Sequence, residues 1–229
     1  MTPPCPKQSC PNFSRKTFVV RDGRFYRRSE ARFIQRFRCQ SCDKRFSHAT
    51  GTLELHQKKR RVNPRLRELL CSGVSMRRCA RLLNIHRTTV ERKLVYLARK
   101  AQLSQQVFLA SLKGQVQHLQ FDDLITSEHS KLKPLTVSLA VDAERRWILG
   151  VEVESLAAFG TLAALSRKKY GRRPTRHIEG LRRLFTSIVP TIAASAIVES
   201  DEHKNYPPIV AQFLPGRTCL LYTSPSPRD

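Results

Sequence analysis

The stretch Gln35-Arg-Phe-Arg-Cys39-Gln-Ser-Cys42-Asp-Lys-Arg-Phe-Ser47 places two cysteines three positions apart in a short basic run. A second pair, Cys5 and Cys10, precedes it, and 28 residues separate Cys10 from Cys39. Each pair can turn its thiolates toward one point, so the spacing predicts that the four cysteines hold one zinc ion as a tetrahedral site. The alternative is a set of free structural cysteines or a redox pair.

The chain between the two cysteine pairs is predicted to form β-structure. Within Phe18–Tyr26, Asp22-Gly23 separates two runs of alternating apolar and polar residues, which is a strong signal for a hairpin turn. The apolar side chains of this region are too few to hold it folded, whereas structural zinc can contribute on the order of 10–16 kcal/mol. We therefore expect a metal-dependent β module over residues 1–50.

Residues 51–104 have the periodicity of three helices. The predicted helices are Pro64–Cys71, Met76–Leu83 and Arg87–Lys100. Gly73 suits the end of the first helix, and Ser75 is placed to cap the second. Helices of these lengths with a tight turn at Asn84 are typical of a helix-turn-helix, and a plain three-helix bundle is the alternative.

The third helix has the surface that a major-groove reader needs, because basic side chains contact phosphates and Thr and Arg can reach base edges. The positions predicted to face inward are Val90, Leu94 and Leu97. The positions predicted to face outward and contact DNA are Arg87, Thr88, Arg92 and Lys93. The connector before the helices adds four residues expected to contact the DNA backbone: Lys58, Lys59, Arg60 and Arg61.

The second half of the chain has the pattern of an α/β domain over residues 105–216. The predicted strands are residues 116–123, 135–141, 147–153 and 194–200, and the predicted helices are residues 156–169 and 178–188. The first three strands can form an antiparallel meander. Asp122 and Asp123 end the first strand, and Asp201 follows the fourth.

Charge separates the two halves of the chain. Residues 1–103 carry 26 Lys and Arg against 6 Asp and Glu, whereas residues 104–229 carry 16 against 12. A strongly basic half joined to a nearly balanced one is typical of a protein in which one part neutralises phosphates. A solvated basic face without a partner is the alternative.

Composition excludes several other classes. With 40% hydrophobic and 26% charged residues, the chain is globular. No apolar stretch approaches the ~20 residues that cross a bilayer, so a membrane protein is not expected. The first residues lack the apolar region of a secretory signal, so we expect a cytoplasmic protein with reduced cysteines.

The end of the chain breaks with the pattern before it. The last residues, Thr218-Cys-Leu-Leu-Tyr-Thr-Ser-Pro-Ser-Pro-Arg-Asp229, are similar to the peptide that results when a sequencing adapter is translated. We expect residues 217–229 to be a non-native tail, and an ordinary Ser- and Pro-rich disordered tail is the alternative. Cys219 is therefore set apart from the predicted metal ligands.

These motifs together resemble a known family. The runs Cys5–Asn12 and Gln35–Thr52 resemble the zinc ribbon that begins bacterial insertion-sequence transposases of the DDE class. The run Gly73–Leu97 resembles the helix-turn-helix that follows it in that family. The two motifs in this order are fairly specific, although they cover less than half of the chain.

The resemblance implies a zinc ribbon over residues 1–50, a helix-turn-helix DNA-binding domain over residues 51–104 and a partial RNase H-like α/β domain over residues 105–216. In that family, acidic side chains from separated elements bind two Mg²⁺ or Mn²⁺ ions for phosphoryl transfer on DNA. By resemblance, Asp122 and Asp201 are catalytic metal ligands. The implied partner is the double-stranded DNA of the element ends, and the implied assembly is a homo-oligomer.

The remaining acidic residues do not complete the metal site implied for Asp122 and Asp201. Strand periodicity alone does not choose between Asp122 and Asp123. Asp142 is expected at a turn, and Glu199 is expected to face away from the partners of Asp201. The third acid of the family lies on a helix well beyond the second, and no residue up to Gly216 is placed to supply it. Glu202 is too close in sequence to Asp201.

We therefore expect a transposase fragment that binds DNA and lacks a complete catalytic site. The main alternative is a non-catalytic, zinc-dependent DNA-binding transcriptional regulator, whose second half senses a ligand or dimerises. RNA binding through the ribbon is a third possibility that the helix-turn-helix disfavours.

Overall fold

The computed structural model describes residues 2–201, 203–216 and 219–221, the last three by their backbone alone. The chain divides into two units, Met1–Ser104 and Gln105–Asp229. Over the described residues it is a mixed α/β structure with two β-sheets and six α-helices. Within the same residues, every helix is too short or too polar to cross a membrane. Glu202 and most of the predicted tail lie outside the described residues.

The first unit contains a three-stranded antiparallel sheet in the order β1-β2-β3. The strands are β1 Val19–Arg27, β2 Arg32–Cys39 and β3 Arg45–Phe46. A short 3-10 turn over Arg28–Glu30 joins β1 to β2. Phe37 and Phe46 pair across β2 and β3 and pack with Val19 and the cysteines in a small core.

The predicted hairpin turn at Asp22-Gly23 is wrong. β1 runs through both residues, and the chain turns at Arg28–Glu30 instead. Between Arg21 and Arg24, β1 advances three residues while β2 advances two, which is a β-bulge. Gly23 accommodates this bulge because its φ is 72°. An Asp-Gly pair favours a bulge and a turn alike, since both need a residue with positive φ.

The three predicted helices begin in the same unit, and the third continues past its end at Ser104. They are α1 Asn63–Cys71, α2 Met76–Leu82 and α3 Arg87–Ser111. The Ser75 side chain accepts a hydrogen bond from the Arg78 backbone N–H at 3.4 Å, so the predicted cap is present. Asn84, at φ 48°, turns the chain between α2 and α3. The buried centre of this helical core consists of Leu66, Cys79, Ile85 and Val90.

α3 buries a different set of residues from the predicted one. Val90 is buried and Leu97 packs on the core, but Leu94 is 39% exposed. Lys93, which lies three positions after Val90 and four before Leu97, is only 3% exposed. Residues three and four positions apart share a helix face, so either Lys93 or Leu94 satisfies the same periodicity. The inward prediction for Leu94 and the outward prediction for Lys93 are therefore both wrong.

The second unit contains a five-stranded sheet in the order β6-β5-β4-β7-β8. The strands are β4 Val116–Ser127, β5 Pro134–Asp142, β6 Trp147–Ser155, β7 Ile192–Ser200 and β8 Cys219–Leu221. The helices are α4 Leu162–Tyr170, α5 His177–Ile188 and α6 Tyr206–Phe213. β4, β5 and β6 form the predicted antiparallel meander, whereas β7 runs parallel to β4 and β8 parallel to β7. β8 thus uses three residues of the segment predicted to be a tail.

The core of the second unit lies between this sheet and helices α5 and α6. The ring of Phe121 packs edge-on against Phe185 at 5.1 Å and Tyr206 at 4.7 Å between centroids. Gly150 of β6 faces α5, where an added Cβ would lie 2.5 Å from Leu184 Cδ1. The opposite face of the sheet carries exposed apolar side chains, among them Leu139, Ile148, Val151, Val153 and Ile197.

Candidate functional site

The four predicted cysteines come together in the first unit. The sulfur atoms of Cys5 and Cys42 lie 3.7 Å apart, and those of Cys10 and Cys39 lie 3.8 Å apart. All four sulfurs are within 4.8 Å of one another. Four sulfurs at about 2.3 Å from a central zinc ion form a tetrahedron with edges of about 3.8 Å. The cluster therefore has the dimensions of a four-thiolate metal site and can hold a metal ion.

Backbone N–H groups point at the sulfurs of this cluster. Burial acts to raise the pKa of Cys39, but hydrogen bonds from the backbone N–H groups of Ser41 and Cys42 outweigh it and lower the pKa to about 7. The backbone N–H of Asn12 donates to Cys10 Sγ at 3.4 Å. The donors to Cys39 favour its thiolate, which is the form that binds a metal, whereas at Cys10 burial outweighs the Asn12 donor and raises the pKa.

Three of the four residues predicted for the outer face of α3 are exposed: Arg87, Thr88 and Arg92. Arg87 Nε donates to Glu91 Oε1 at 2.9 Å, so this charge is shared with an acid one turn away. Thr88 Oγ1 lies 2.9 Å from His86 Nδ1 at the start of the helix. Arg92 has no acidic partner among the residues that the structure describes. It is the residue of this face with an uncompensated charge.

Lys93, the fourth predicted contact, points into the first unit instead. Its Nζ donates to Asn63 Oδ1 at 2.5 Å and to the Lys58 carbonyl oxygen at 3.0 Å. Burial lowers the pKa of Lys93. Because the ammonium group is enclosed by these acceptors, it connects α3 to the connector and is not placed to reach a phosphate.

The four basic residues of the connector before the helices, residues 58–61, also include both exposed and enclosed side chains. The exposed ones are Lys58, Lys59 and Arg61. The Arg60 side chain is held by the protein: Nη2 donates to the Glu54 carbonyl oxygen at 2.7 Å, and Nε lies 3.3 Å from Glu30 Oε1. Arg60 is therefore engaged within the first unit, whereas its three neighbours are free to meet a polyanion.

In the second unit, strand alternation separates Asp122 from Asp123. Asp122 is exposed, whereas Asp123 points toward the core and accepts three hydrogen bonds. The donors are Ser138 Oγ, His177 Nε2 and, at 2.7 Å, the Tyr206 hydroxyl. Burial acts to raise the pKa of Asp123, but these hydrogen bonds outweigh it and hold the pKa below its usual value. With three of its acceptor positions used, Asp123 is a structural carboxylate, and Asp122 remains the accessible one.

Contacts of this cluster extend to the loop that carries Asp201. Asn205 Nδ2 lies 3.3 Å from His177 Nδ1, and the rings of His203 and His177 pack with centroids 5.2 Å apart. The His203 backbone N–H donates to Asp201 Oδ1 at 3.1 Å. The segment after β7 is thus tied to the same side-chain cluster as β4.

The register of β4 and β7 relates Asp122 to Asp201. The parallel pairing matches Gln120 with Glu199, and the two aspartates each come two residues later. Alternation therefore directs Asp122 to the side of the sheet that carries Gln120 and Glu199, whereas Asp201 is the first residue after β7. On that side, Glu199 Oε2 lies 3.0 Å from His118 Nε2. Asp201 lies outside β7, so the expected orientation of Glu199 away from the partners of Asp201 stays a prediction.

The charges of three aspartates reach one tyrosine. Burial raises the pKa of Tyr206, and Asp123, Asp201 and Asp122 raise it further. The Tyr206 hydroxyl consequently keeps its proton and stays a donor to Asp123.

Among the described residues, the four cysteines are the one group of three or more Cys, His, Asp and Glu side chains that converges within 4.8 Å. Asp122 and Asp201 do not belong to such a group within that part of the chain.

Asp142 occupies the turn predicted for it. It is fully buried at the end of β5, and its Oδ1 accepts hydrogen bonds from the backbone N–H groups of Glu144 at 3.1 Å and Arg145 at 3.2 Å. This side chain caps the turn between β5 and β6. It is therefore not available as a metal ligand.

Sequence reasoning missed the hydrogen-bonded cluster around Asp123. His177 and Tyr206 lie 54 and 83 positions away from it, and no spacing rule connects residues so distant. One local signal indicates the orientation of Asp123. Leu119 and Phe121 are apolar, and Asp123 follows them at intervals of two residues, so strand alternation puts Asp123 on the same, core-facing side.

Comparison with known proteins assigns no family to the chain. No protein-family model matches the sequence, and neither does any curated protein.

Proposed function

We propose that this chain is a DNA-binding fragment of a transposase of the DDE type. Its first unit binds the ends of the element, and its second unit is an RNase H-like domain for DNA cleavage and strand transfer. The observation that carries the proposal is the parallel pairing of β4 with β7. It joins the strand that contains Asp122 to the strand that Asp201 directly follows, in a chain whose first unit has three helices with exposed basic residues.

The strand order supports the RNase H-like assignment. In that fold, a three-stranded antiparallel meander is extended by parallel strands beside its first strand. Here the meander β4-β5-β6 is extended by β7 and β8 beside β4, with α5 and α6 in the connections. Neighbouring strands lie about 4.8 Å apart, so a pairing continued in register brings Asp122 next to Asp201.

DNA binding is proposed for the exposed basic residues of the first unit. The exposed Arg92 and Thr88 of α3 are proposed to read the major groove, and the exposed Lys58, Lys59 and Arg61 are proposed to contact the backbone. The metal held by the four cysteines is proposed to be structural zinc. It stabilises a sheet whose apolar core is too small to do so alone.

Asp122 and Asp201 are proposed to bind the catalytic Mg²⁺ or Mn²⁺ of the intact enzyme. When bound, such ions activate the attacking hydroxyl and stabilise the leaving oxygen of a phosphodiester. The chain's own contribution is to orient both carboxylates, through β4 for Asp122 and through the His203 N–H for Asp201. With no third acid beside them among the described residues, we expect DNA binding without strand transfer. Joining two element ends requires an oligomer of the intact enzyme.

Manganese binding tests the proposal. Mn²⁺ is titrated into the full zinc-loaded chain with duplex DNA present, because Mg²⁺-like ions use phosphate oxygens as well as carboxylates. We expect Asp122→Asn and Asp201→Asn each to weaken Mn²⁺ binding by about tenfold or more, measured by electron paramagnetic resonance. Glu144→Gln, which removes an exposed acid from the β5–β6 turn, is the matched control. Equal effects of all three variants, or none, contradict a metal site at the two aspartates.

A second candidate is a non-catalytic, zinc-dependent DNA-binding regulator. It is favoured by the lack of a three-carboxylate cluster in the part of the chain that the structure describes. Such a protein binds DNA but has no use for a divalent ion at Asp122 and Asp201. DNA affinity with no change in Mn²⁺ binding in either variant would therefore support the regulator.

A further inference from the structure

The second unit contains its own concentrated positive charge. Residues 167–176, which we call the basic segment, run from the last turn of α4 to the start of α5. The segment contains six basic residues, and no acidic residue occurs between Ser155 and Ile178. Without these six, residues 104–229 carry 10 Lys and Arg against 12 Asp and Glu. The unit is therefore slightly acidic apart from one strongly basic stretch.

Most of these charges have no acidic partner. Within the described residues, the ion pairs of the segment are those of Arg173 with Glu128 at 2.5 Å and Arg176 with Glu179 at 4.0 Å. The four remaining cations are exposed: Arg167, Lys168, Lys169 and Arg172. The C-terminal end of a helix attracts cations, which accounts for charges on the last turn of α4 but not for Arg172 in the loop.

The basic segment is held in place by hydrogen bonds on both sides. Ser166, at its border, is buried and donates to the Leu132 carbonyl oxygen at 2.7 Å. The Arg176 backbone N–H donates to the Ser155 carbonyl oxygen at 2.9 Å. The Ser155 hydroxyl also donates to the Pro174 carbonyl oxygen, at 2.9 Å. Side chains on such a fixed backbone lose less conformational freedom when they bind than side chains on a mobile tail.

The segment also borders a cavity of about 490 Å³. Its lining residues include Arg167, Arg172 and Arg173 together with Ala157, Ala158 and Ala163. Arg167 and Arg172 are exposed, and Lys168 and Lys169 extend the charge along α4. Charge spread over a helix end and a loop suits a polyanion with regularly spaced phosphates better than one small anion.

We propose that the basic segment is a second binding surface for the phosphodiester backbone of duplex DNA, separate from the helix-turn-helix. The inference rests on the proposed function for the nature of the partner. It adds that the second unit grips DNA itself, either further along the duplex bound by α3 or on a second duplex. The chemistry is the same in both cases: arginine and lysine side chains neutralise backbone phosphates without reading sequence.

The test compares salt dependence in matched charge variants of the full zinc-loaded chain. The segment variant is Lys168→Gln, Lys169→Gln and Arg172→Gln. The control variant, Lys113→Gln, Arg146→Gln and Arg182→Gln, removes three exposed, unpaired basic residues elsewhere in the second unit. Binding to a long random-sequence duplex is followed by fluorescence anisotropy over a salt series. Each lost phosphate contact should reduce the slope of log K against log salt by about 0.9.

We expect the slope for the segment variant to fall by the amount of two or three lost phosphate contacts and the slope for the control variant to stay unchanged. An unchanged segment variant, or equal changes in both, overturns the inference. Repeating the comparison in an Arg92→Gln background separates this inference from the proposed role of α3. If Arg92→Gln has no effect while the segment variant does, the role of α3 fails and the second surface stands.

Two further arms identify the source of the phosphates. If the segment grips the duplex already bound by α3, adding a second duplex of different length to a preformed complex gives no ternary complex on native gels. A ternary complex on native gels, lost in the segment variant, indicates a second duplex. Binding of the segment to anionic lipid vesicles with no change in DNA affinity overturns the proposal.

Discussion

Arg92 and Lys93 are adjacent residues of equal charge in opposite surroundings. Arg92 is exposed and unpaired within the described residues, whereas Lys93 is buried against Asn63 and Lys58. We expect Arg92→Gln to reduce the salt slope of DNA binding by about 0.9 and to leave stability unchanged. Lys93→Gln should leave the slope unchanged and lower the free energy of unfolding by about 1–3 kcal/mol, because buried acceptors lose their donor.

Each variant is the control for the other. Anisotropy titrations measure the salt slope of DNA binding, and denaturant unfolding measures the free energy of unfolding. If Lys93→Gln lowered the salt slope of DNA binding without lowering stability, Lys93 would be a DNA contact after all. No change of slope for Arg92→Gln would remove the strongest candidate on α3.

Asp123 should make the second unit sensitive to acid. Its pKa is held below the usual value, so the folded state prefers the ionised form. The resulting stabilisation is fully present above the unfolded pKa of about 3.9 and is lost as the pH falls through the lower folded pKa. Asp123→Asn should cost about 1–3 kcal/mol of unfolding free energy at neutral pH and should flatten the acid side of the stability profile.

Asp122→Asn is the matched control for that experiment. Asp122 is exposed one residue away, so its substitution should change stability by less than about 0.5 kcal/mol. Denaturant unfolding of both variants across the acid range gives the comparison. Identical profiles for the two variants would show that the hydrogen bonds of Ser138, His177 and Tyr206 add no stability.

Among the elements, the packing of α5 on β6 depends on one missing side chain. Gly150 leaves room for Leu184 and Ile188, which an added Cβ would approach to 2.5 Å and 3.2 Å. Leu184 is 1% exposed, so it must shift within the core to make room for the added methyl group. Gly150→Ala should therefore lower the unfolding free energy by about 1–3 kcal/mol, measured by denaturant unfolding. Val151→Ala, on the exposed face of the same strand, should cost much less; equal costs would contradict the close packing.

The first sheet shows how an element can differ from its local signal. Asp22-Gly23 predicts a hairpin turn, yet β1 continues through it with a bulge. The reversal occurs at Arg28–Glu30, where Glu30 Oε1 lies 3.1 Å from Arg27 and 3.3 Å from Arg60. Burial of the Glu30 carboxylate acts to raise its pKa, but the neighbouring arginines outweigh it and lower the pKa. A long-range ion pair thus helps to determine where the hairpin turns.

For the chain taken together, metal removal should affect the two units differently. The four cysteines hold the first unit, whereas the second has a large apolar core of its own. We expect one zinc per chain and, after chelation, faster hydrogen exchange in β1–β3 with unchanged exchange in β4–β7. Cys39→Ser should reproduce the effect, and Cys71→Ser, at an exposed cysteine outside the cluster, should not. Exchange that is unaffected by chelation would contradict a structural metal.

Local patterns in the sequence were enough to predict most secondary-structure elements and one site, but not α6 or β8. The cysteine spacing predicted the metal cluster, Ser75 predicted a helix cap, and strand alternation predicted the meander. These features depend on residues close together in the chain or on ligands whose chemistry leaves few alternatives. Backbone geometry repeats every two or 3.6 residues, so such patterns are legible without knowing what packs against them.

Tertiary packing decided which face of each element is buried. It supplied the distant hydrogen-bond donors of Asp123, buried Lys93 in place of Leu94, and engaged Arg60 with Glu30. Each outcome depends on partners about 30 to 80 positions away, such as Tyr206 for Asp123 and Asn63 for Lys93. A buried charge is stable only where donors or acceptors from other elements surround it, and that arrangement exists only once the chain has folded.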